Sequence, residues 1–328
     1  VNLYEQQASN RHKTWLIMLA FIGFLLFLGA GFDALYIGAA GGFVPVGSLL
    51  ALAVGSVSAS VSYFAGDRAV LLATAAKPLE EITAAATDDE KLKLRQLSNV
   101  VDEMAIAAGI PRPRVYIVPD PDPNAFATGR GPGTSSIAVT RGLLDVLDRD
   151  ELQGVIAHEM SHIRNLDVRL MTIVAALVGT AGLLSEWARR GMMSGGGSSR
   201  RRGDRDRDGG GAAGLIFFAI WAVAIVAAPF VVQALAMMVS RKREYLADAS
   251  GAELTRNPIG LARALEKIES AVAPTQSINR GSAHLCIADP LGRQVNLKEG
   301  FWSDLFASHP PMPARIAALN EMAFQGRT

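Results

Sequence analysis

Four stretches of this 328-residue chain carry no charged side chain: Thr14 to Phe32, Ala34 to Gly66, Leu170 to Ser185 and Ala212 to Ser240. A helix needs ~20 apolar residues to cross the hydrocarbon core of a bilayer, where every backbone polar group must be satisfied within the protein. The first and last stretches meet that length, the second exceeds it, and Leu170 to Ser185 is marginal. Membrane-spanning helices are therefore the first constraint on the fold. The leading stretch reads as a retained anchor, because no small-residue cleavage site closes it before the second apolar segment begins.

Charge around these stretches sets an expected orientation. Arg11 and Lys13 precede the first, Arg68 and Lys77 follow the second, and the connection from Asp33 to Gly42 has neither Lys nor Arg. Both outer flanks are thus expected in the cytoplasm. The loop at 189–211 carries seven arginines against three aspartates among Gly and Ser, and reads as a disordered tether. If both flanking stretches cross, it lies outside; Arg164, Arg169, Arg241, Lys242 and Arg243 at the opposite ends oppose that placement, so charge counting leaves it open. A net charge of +1 gives no general attraction to nucleic acid, and the single Cys286 excludes an internal disulfide, in keeping with a reducing cytosolic face.

Between the apolar segments the composition becomes mixed. Residues 1–66 form an expected transmembrane hairpin, 67–169 the first half of a soluble domain, 170–240 a second hydrophobic hairpin, and 241–328 the second half. Leu94, Leu97, Val101, Met104 and Ala108 recur at helical spacing until Gly109 and Pro111 stop the pattern. Val115 to Val118 and Ser136 to Thr140 read as strands, and turn residues bracket Asn124 to Thr128. Helices are expected from Pro258 to about Val272 and from Pro313 to Phe324. The fold class is mainly α with a small β-sheet, joined to transmembrane helices.

The chemistry is concentrated at His158, Glu159, Met160, Ser161 and His162, an HExxH sequence. Asp148 and Glu151 supply a D-x-x-E cap ahead of it, and Leu152, Val155 and Ile156 supply an apolar face, so the motif belongs to a helix. Positions four apart share a helix face, which lets both imidazoles converge on one metal ion. Neutral imidazole suits Zn²⁺, and two protein nitrogens plus one further ligand leave a position open for water. Glu159 is poorly placed to ligate the same ion but well placed to take a proton from that water. The pattern is that of a zinc peptidase with one zinc per chain.

A third ligand must come from elsewhere. The HExxHxxGxxH arrangement would need Gly at 165 and His at 168, where this chain has Asn165 and Val168. Another arrangement takes a glutamate from a later helix, and Glu244, just after the fourth apolar stretch, is the best candidate.

Taken together, NAFATG at 124–129, HEMSHIRNLD at 158–167, SRKREYLADA at 240–249 and SHPPMPARI at 308–316 resemble the HtpX family of membrane-embedded zinc endopeptidases, gluzincins related to the CAAX prenyl endopeptidases. The resemblance spans most of the chain. It implies His158, His162 and Glu244 as ligands and Glu159 as general base. It implies a supporting role for Asp248, through a hydrogen bond to a zinc-bound imidazole. His309 and Arg315 resemble the family's late HPPxxxR element, which suggests stabilisation of the transition-state oxyanion. Asn124, Ala125, Phe126, Ala127 and Thr128 would pair with an extended substrate backbone. The resemblance further implies a multi-pass protein of a prokaryotic cell membrane, with its catalytic domain in the cytoplasm and misfolded or damaged membrane proteins as polypeptide substrates. Two other readings remain at this point. A CAAX-type processing protease would use the same chemistry within a closed chamber, for which four apolar stretches are few. A catalytically idle membrane scaffold would keep zinc for stability, but such a site has no use for Glu159.

Overall fold

The computed structural model describes residues 3–33, 45–177, 241–271, 285–288 and 310–325. The loop at 189–211, the apolar stretch 212–240, residues 178–185, the connection 34–44, His284 and His309 lie outside the described residues. The chain divides into two compact units, Val1–Thr14 with Ser62–Ala176 and Ala236–Thr328, and Trp15–Val61 with Leu177–Leu235. The first fourteen residues thus belong with the HExxH unit, whereas the sequence pattern groups them with the apolar hairpin.

Residues 15–61 of the second unit lie on α1 (Leu3–Phe32) and α2 (Val46–Ala73), which run antiparallel there, Gly29 meeting Gly47 and Ala51 while Gly55 meets Ile22 and Leu25. A Cβ at Gly29 would run into the Gly47 carbonyl, so the absent side chain lets the two backbones touch, as in membrane helix pairs. Asp33 closes the end of the pair. Its carboxylate accepts from the Gly47 and Ser48 amides at 2.6 and 2.7 Å, satisfying donors that the first turn of α2 leaves open. Gln7–Gly31 and Val46–Ala73 are long and apolar enough to cross a membrane. Trp15, Leu19, Leu50 and Val57 are exposed along them, more apolar surface than a water-facing hairpin carries.

The first unit is built on a four-stranded sheet, β1 (Lys77–Pro78), β2 (Arg114–Val118), β3 (Ala125–Thr128) and β4 (Ser136–Thr140), in the order β1-β2-β4-β3. β2 and β4 are parallel, from Arg114 opposite Ser136 to Val118 opposite Thr140, and β3 returns antiparallel with Ala125 opposite Val139. Every residue of β3 and β4 is buried. Short helices α3 (Leu79–Ala85) and α5 (Arg141–Val146) follow β1 and β4, and the long α4 (Asp88–Ala108) starts at a Thr87–Glu90 capping box and ends at Gly109, whose φ of 66° is the left-handed turn that glycine adopts without penalty.

The HExxH helix, α6 (Arg149–Arg164), begins where the sequence predicts. Asp148 accepts from the Glu151 amide and Glu151 from the Asp148 amide, both at 2.9 Å. Every residue from Gly154 to Ile163 is buried, because α4, α7 (Arg241–Thr255), α8 (Pro258–Glu269) and β3 pack around α6. A helix buried on all sides can hold histidines and carboxylates only if each finds a partner. The surrounding core contains Leu97, Val101, Ile137, Leu152, Ile156, Leu261 and Leu265, and α9 (Met312–Gln325) adds Leu319. Each such side chain contributes roughly 1.5–3 kcal/mol of burial. α7 also lies close: a Cβ at Gly251 would stand 3.0 Å from the His158 amide nitrogen.

Candidate metal centre

His158 and His162 lie one turn apart on α6, and Glu244 enters from the first turn of α7. The two Nε2 atoms are 3.2 Å apart; Glu244 Oε2 is 3.7 Å from that of His158, and Oε1 is 3.6 Å from that of His162. One ligand atom from each residue fits within 4.8 Å of the others, and all three side chains are buried.

Each imidazole is fixed from behind. His158 Nδ1 stands 2.9 Å from Asp248 Oδ1, and His162 Nδ1 stands 3.2 Å from Asp167 Oδ2. A carboxylate at Nδ1 draws the ring proton there and leaves the Nε2 lone pair facing the centre. With both rings neutral, two lone pairs this close repel unless a proton or a metal ion lies between them. Asp167 reaches His162 because the turn after α6 puts Leu166 at φ 60°, a left-handed conformation that costs a residue with a Cβ about 1–2 kcal/mol.

Charge balance leads to the same requirement. Glu159, Glu244, Asp167 and Asp248 are four buried carboxylates around the imidazoles, against two buried guanidinium groups, Arg243 and Arg315. With both imidazoles neutral, as ligation requires, and all four carboxylates ionised, two negative charges remain, and buried charge is stable only when paired or bound to metal. The residues present therefore fit a divalent ion.

Burial pushes Glu159 up to about 7, helped by neighbouring Glu244 and opposed by His162, the Ala127 amide and Arg315. A carboxyl group poised near neutrality can both accept and return a proton. Neither oxygen of Glu159 has a well-formed hydrogen bond. Burial lowers His158. It would lower His162 too, but Asp167, Glu244 and Glu159 together hold that imidazole up at about 9 in the metal-free protein. Burial alone would raise Asp248, but Arg315 brings it down to about 2.

Arg315 and the strand at Asn124 to Thr128 both make contacts that the sequence does not announce. Arg315 is fully buried; its Nε and Nη2 donate to Asp248 at 2.8 and 2.7 Å, and Nη1 donates to the Ile287 carbonyl at 2.8 Å. It stands behind Asp248, its Nη1 also lies 3.7 Å from Glu244 Oε2, and its donors are engaged by the protein's own acceptors. Ala125 to Thr128 forms a strand beside α6, and the first part of its outer edge is taken. The Ile287 amide donates to the Ala125 carbonyl at 2.9 Å, Phe126 is bridged to Cys286, and Asn124 Nδ2 donates to the Ala288 carbonyl at 3.2 Å. Ile287 and Ala288 belong to the main core, so this segment covers the edge from Asn124 to Phe126, while the Ala127 amide faces Glu159. His309 lies outside the described residues.

Asp167 and Arg243 are members of the cluster to which sequence reasoning gave no role. Asp167 was visible as an acidic residue just past the HExxH helix; Arg243, adjacent to Glu244, reads as one more charge at a membrane boundary.

Comparison with known proteins bears on this cluster directly. The sequence profile of Peptidase family M48 matches residues 91–323, which contain all of it. A protease HtpX homolog of Streptococcus thermophilus is 41% identical over 322 residues, covering 98% of this chain and 100% of the relative. One of Caldanaerobacter subterraneus subsp. tengcongensis is 40% identical over 321 residues, covering 98% of each. The crystal structure of S. mikatae Ste24p aligns over 96% of this chain and 67% of its own, with a TM-score of 0.47 and 18% identity. Near-full-length identity to HtpX proteases and a family match enclosing the His–Glu cluster place the chain in Peptidase family M48, as a metalloprotease.

Proposed function

We propose that the chain is an integral membrane zinc endopeptidase in which His158, His162 and Glu244 hold the ion and Glu159 is the general base. The observation carrying this reading is the convergence of two imidazole Nε2 atoms and one carboxylate at a buried, net-negative centre. Two nitrogens and one oxygen, with a position left open, is a donor set that suits catalytic zinc. When bound, the metal supplies Lewis acidity toward water and toward a peptide carbonyl. Glu159 takes the proton of the attacking water and delivers it to the departing amine. Asp248 and Asp167 hold the imidazoles in the tautomer that presents Nε2, and Arg315 keeps Asp248 charged and in place. Poised Glu159 weighs against an idle scaffold.

Two long apolar helices with exposed faces support membrane integration, and the Lys and Arg distribution supports a catalytic unit on the cytoplasmic side. The HtpX resemblance supports misfolded or damaged membrane proteins as substrates. The experiment is cleavage of an unfolded polypeptide such as casein by the full chain in detergent, with zinc measured on the same preparation. The wild type cleaves, a chelator stops it, zinc restores it, and Glu159→Gln keeps zinc while losing cleavage roughly 10²-fold or more. Near-normal turnover by Glu159→Gln, or no cleavage by the zinc-loaded wild type, would sink the reading.

A further inference from the structure

The amino-terminal turns of α1 reach the metal cluster. Asn10 is 2% exposed, and its Nδ2 donates to Asp167 Oδ1 at 2.7 Å and to the Asn165 carbonyl at 3.0 Å. One turn earlier, Gln7 Nε2 donates to the Arg164 carbonyl at 2.8 Å. Asp167 turns its other oxygen to His162. A continuous path of polar contacts thus runs from the start of the first apolar helix to one candidate metal ligand.

The two imidazoles are supported differently. Behind His158, Arg315 grips both oxygens of Asp248. Behind His162, the comparable cation is Arg243, but its nearest nitrogen is 3.7 Å from Asp167 Oδ1, and none of its guanidinium nitrogens makes a hydrogen bond. The short contact to Asp167 Oδ1 comes instead from Asn10. Without that donor, one oxygen of a fully buried carboxylate would have only a distant charge to face.

We propose that Asn10 is a positioning residue for the metal site: by holding Asp167, it orients His162, so that seating of the first apolar helix and metal affinity are coupled. The proposal rests on the zinc site described above. It assigns to the amino-terminal segment a role beyond anchoring, since a displaced α1 would release Asp167 and loosen one ligand. Asn165 shares the same Asn10 amide through its carbonyl, which ties the strained turn at Leu166 into the arrangement.

The test is zinc affinity by chelator competition, and the absorption spectrum of the cobalt-substituted protein, on the full chain in detergent. His162→Ala tests the underlying site: if the wild type binds no zinc, or His162→Ala binds it as well as the wild type, the site reading fails before the coupling is reached. With the site intact, Asn10→Ala and the similarly sized Asn10→Leu should each weaken zinc binding roughly tenfold and shift the cobalt spectrum. Gln7→Ala, which removes a docking bond without touching Asp167, should leave both near wild type. In an Asp167→Ala background, Asn10→Ala should cause no further loss, since its effect passes through the missing carboxylate. Unchanged affinity in both Asn10 variants, or a full additional loss in the Asp167→Ala background, would overturn the coupling, and the same loss in Gln7→Ala would overturn its assignment to the Asn10–Asp167 bond.

Discussion

Arg315 holds Asp248 with two nitrogens, Nε at 2.8 Å and Nη2 at 2.7 Å, while the same carboxylate stands 2.9 Å from His158 Nδ1. All three residues are buried, so the guanidinium is the counter-charge that lets Asp248 stay ionised behind the imidazole. Removing it strands a buried carboxylate. Arg315→Met should therefore cost about 3–5 kcal/mol of stability, and Arg315→Lys should recover only part because a single ammonium cannot reproduce the paired contact. Thermal unfolding of the detergent-solubilised protein checks this. An unchanged unfolding temperature in Arg315→Met would show that the pair is not what stabilises this part of the fold.

Packing makes a second prediction at Gly251. A methyl group there meets the His158 amide at 3.0 Å, so α6 and α7 must part by a few tenths of an ångström between His158 and the helix that carries Glu244. Gly251→Ala should lose about 1–3 kcal/mol of stability and weaken metal binding, whereas alanine's better helix propensity alone would stabilise α7. A variant that is more stable and binds metal normally would mean that the helices adjust without disturbing the ligands.

Metal uptake should release a proton. In the metal-free protein His162 is held up at about 9, chiefly because Asp167 and Glu244 outweigh the effect of burial, so at pH ~7.5 it is protonated. His158, lowered by burial, is already neutral. A ligating imidazole must be neutral, so binding should expel about one proton from the pair at that pH. Apparent affinity should then rise roughly tenfold per pH unit and level off above about 9. Zinc titration calorimetry in two buffers of different ionisation enthalpy measures the release directly; no release at pH ~7.5 would contradict the assignment.

Topology follows from charge. Single cysteines introduced in a Cys286→Ser background at Glu80 and Gly38 should be labelled by an impermeant reagent in opposite ways, Gly38 from outside intact cells and Glu80 only after lysis. Labelling Glu80 but not Gly38 from outside would invert the orientation.

The parts of the fold that were legible are those whose causes are local. The Asp148 cap, Gly109 at the end of α4 and the β-prone run from Ser136 to Thr140 each act within a few residues, and the structure has α6, α4 and β4 there. The HExxH spacing likewise fixes His158 and His162 to one face of one helix. The contacts of Asn124 to Phe126 with Leu285–Ala288 were not legible, because that segment lies about 160 residues away and has no strand pattern of its own. β1 is only two residues long and exists through its pairing with β2. Asp167 escaped notice because it reaches His162 through a left-handed Leu166, a conformation that no local preference for leucine announces. Arg315 looked available for substrate because sequence carries no sign that Asp248 and Ile287 would claim its donors.

The central claim is that Glu244, and not Asp248, completes the metal site. Zinc content of Glu244→Ala and Asp248→Ala, measured on purified full-length protein with and without added zinc, tests it most directly. Glu244→Ala should purify nearly free of zinc and stay inactive when zinc is added. Asp248→Ala, which loses support for His158 but no ligand, should bind roughly 10- to 100-fold more weakly and regain part of its cleavage with added zinc. Full zinc occupancy in Glu244→Ala, or the reverse ranking of the two variants, would contradict the account.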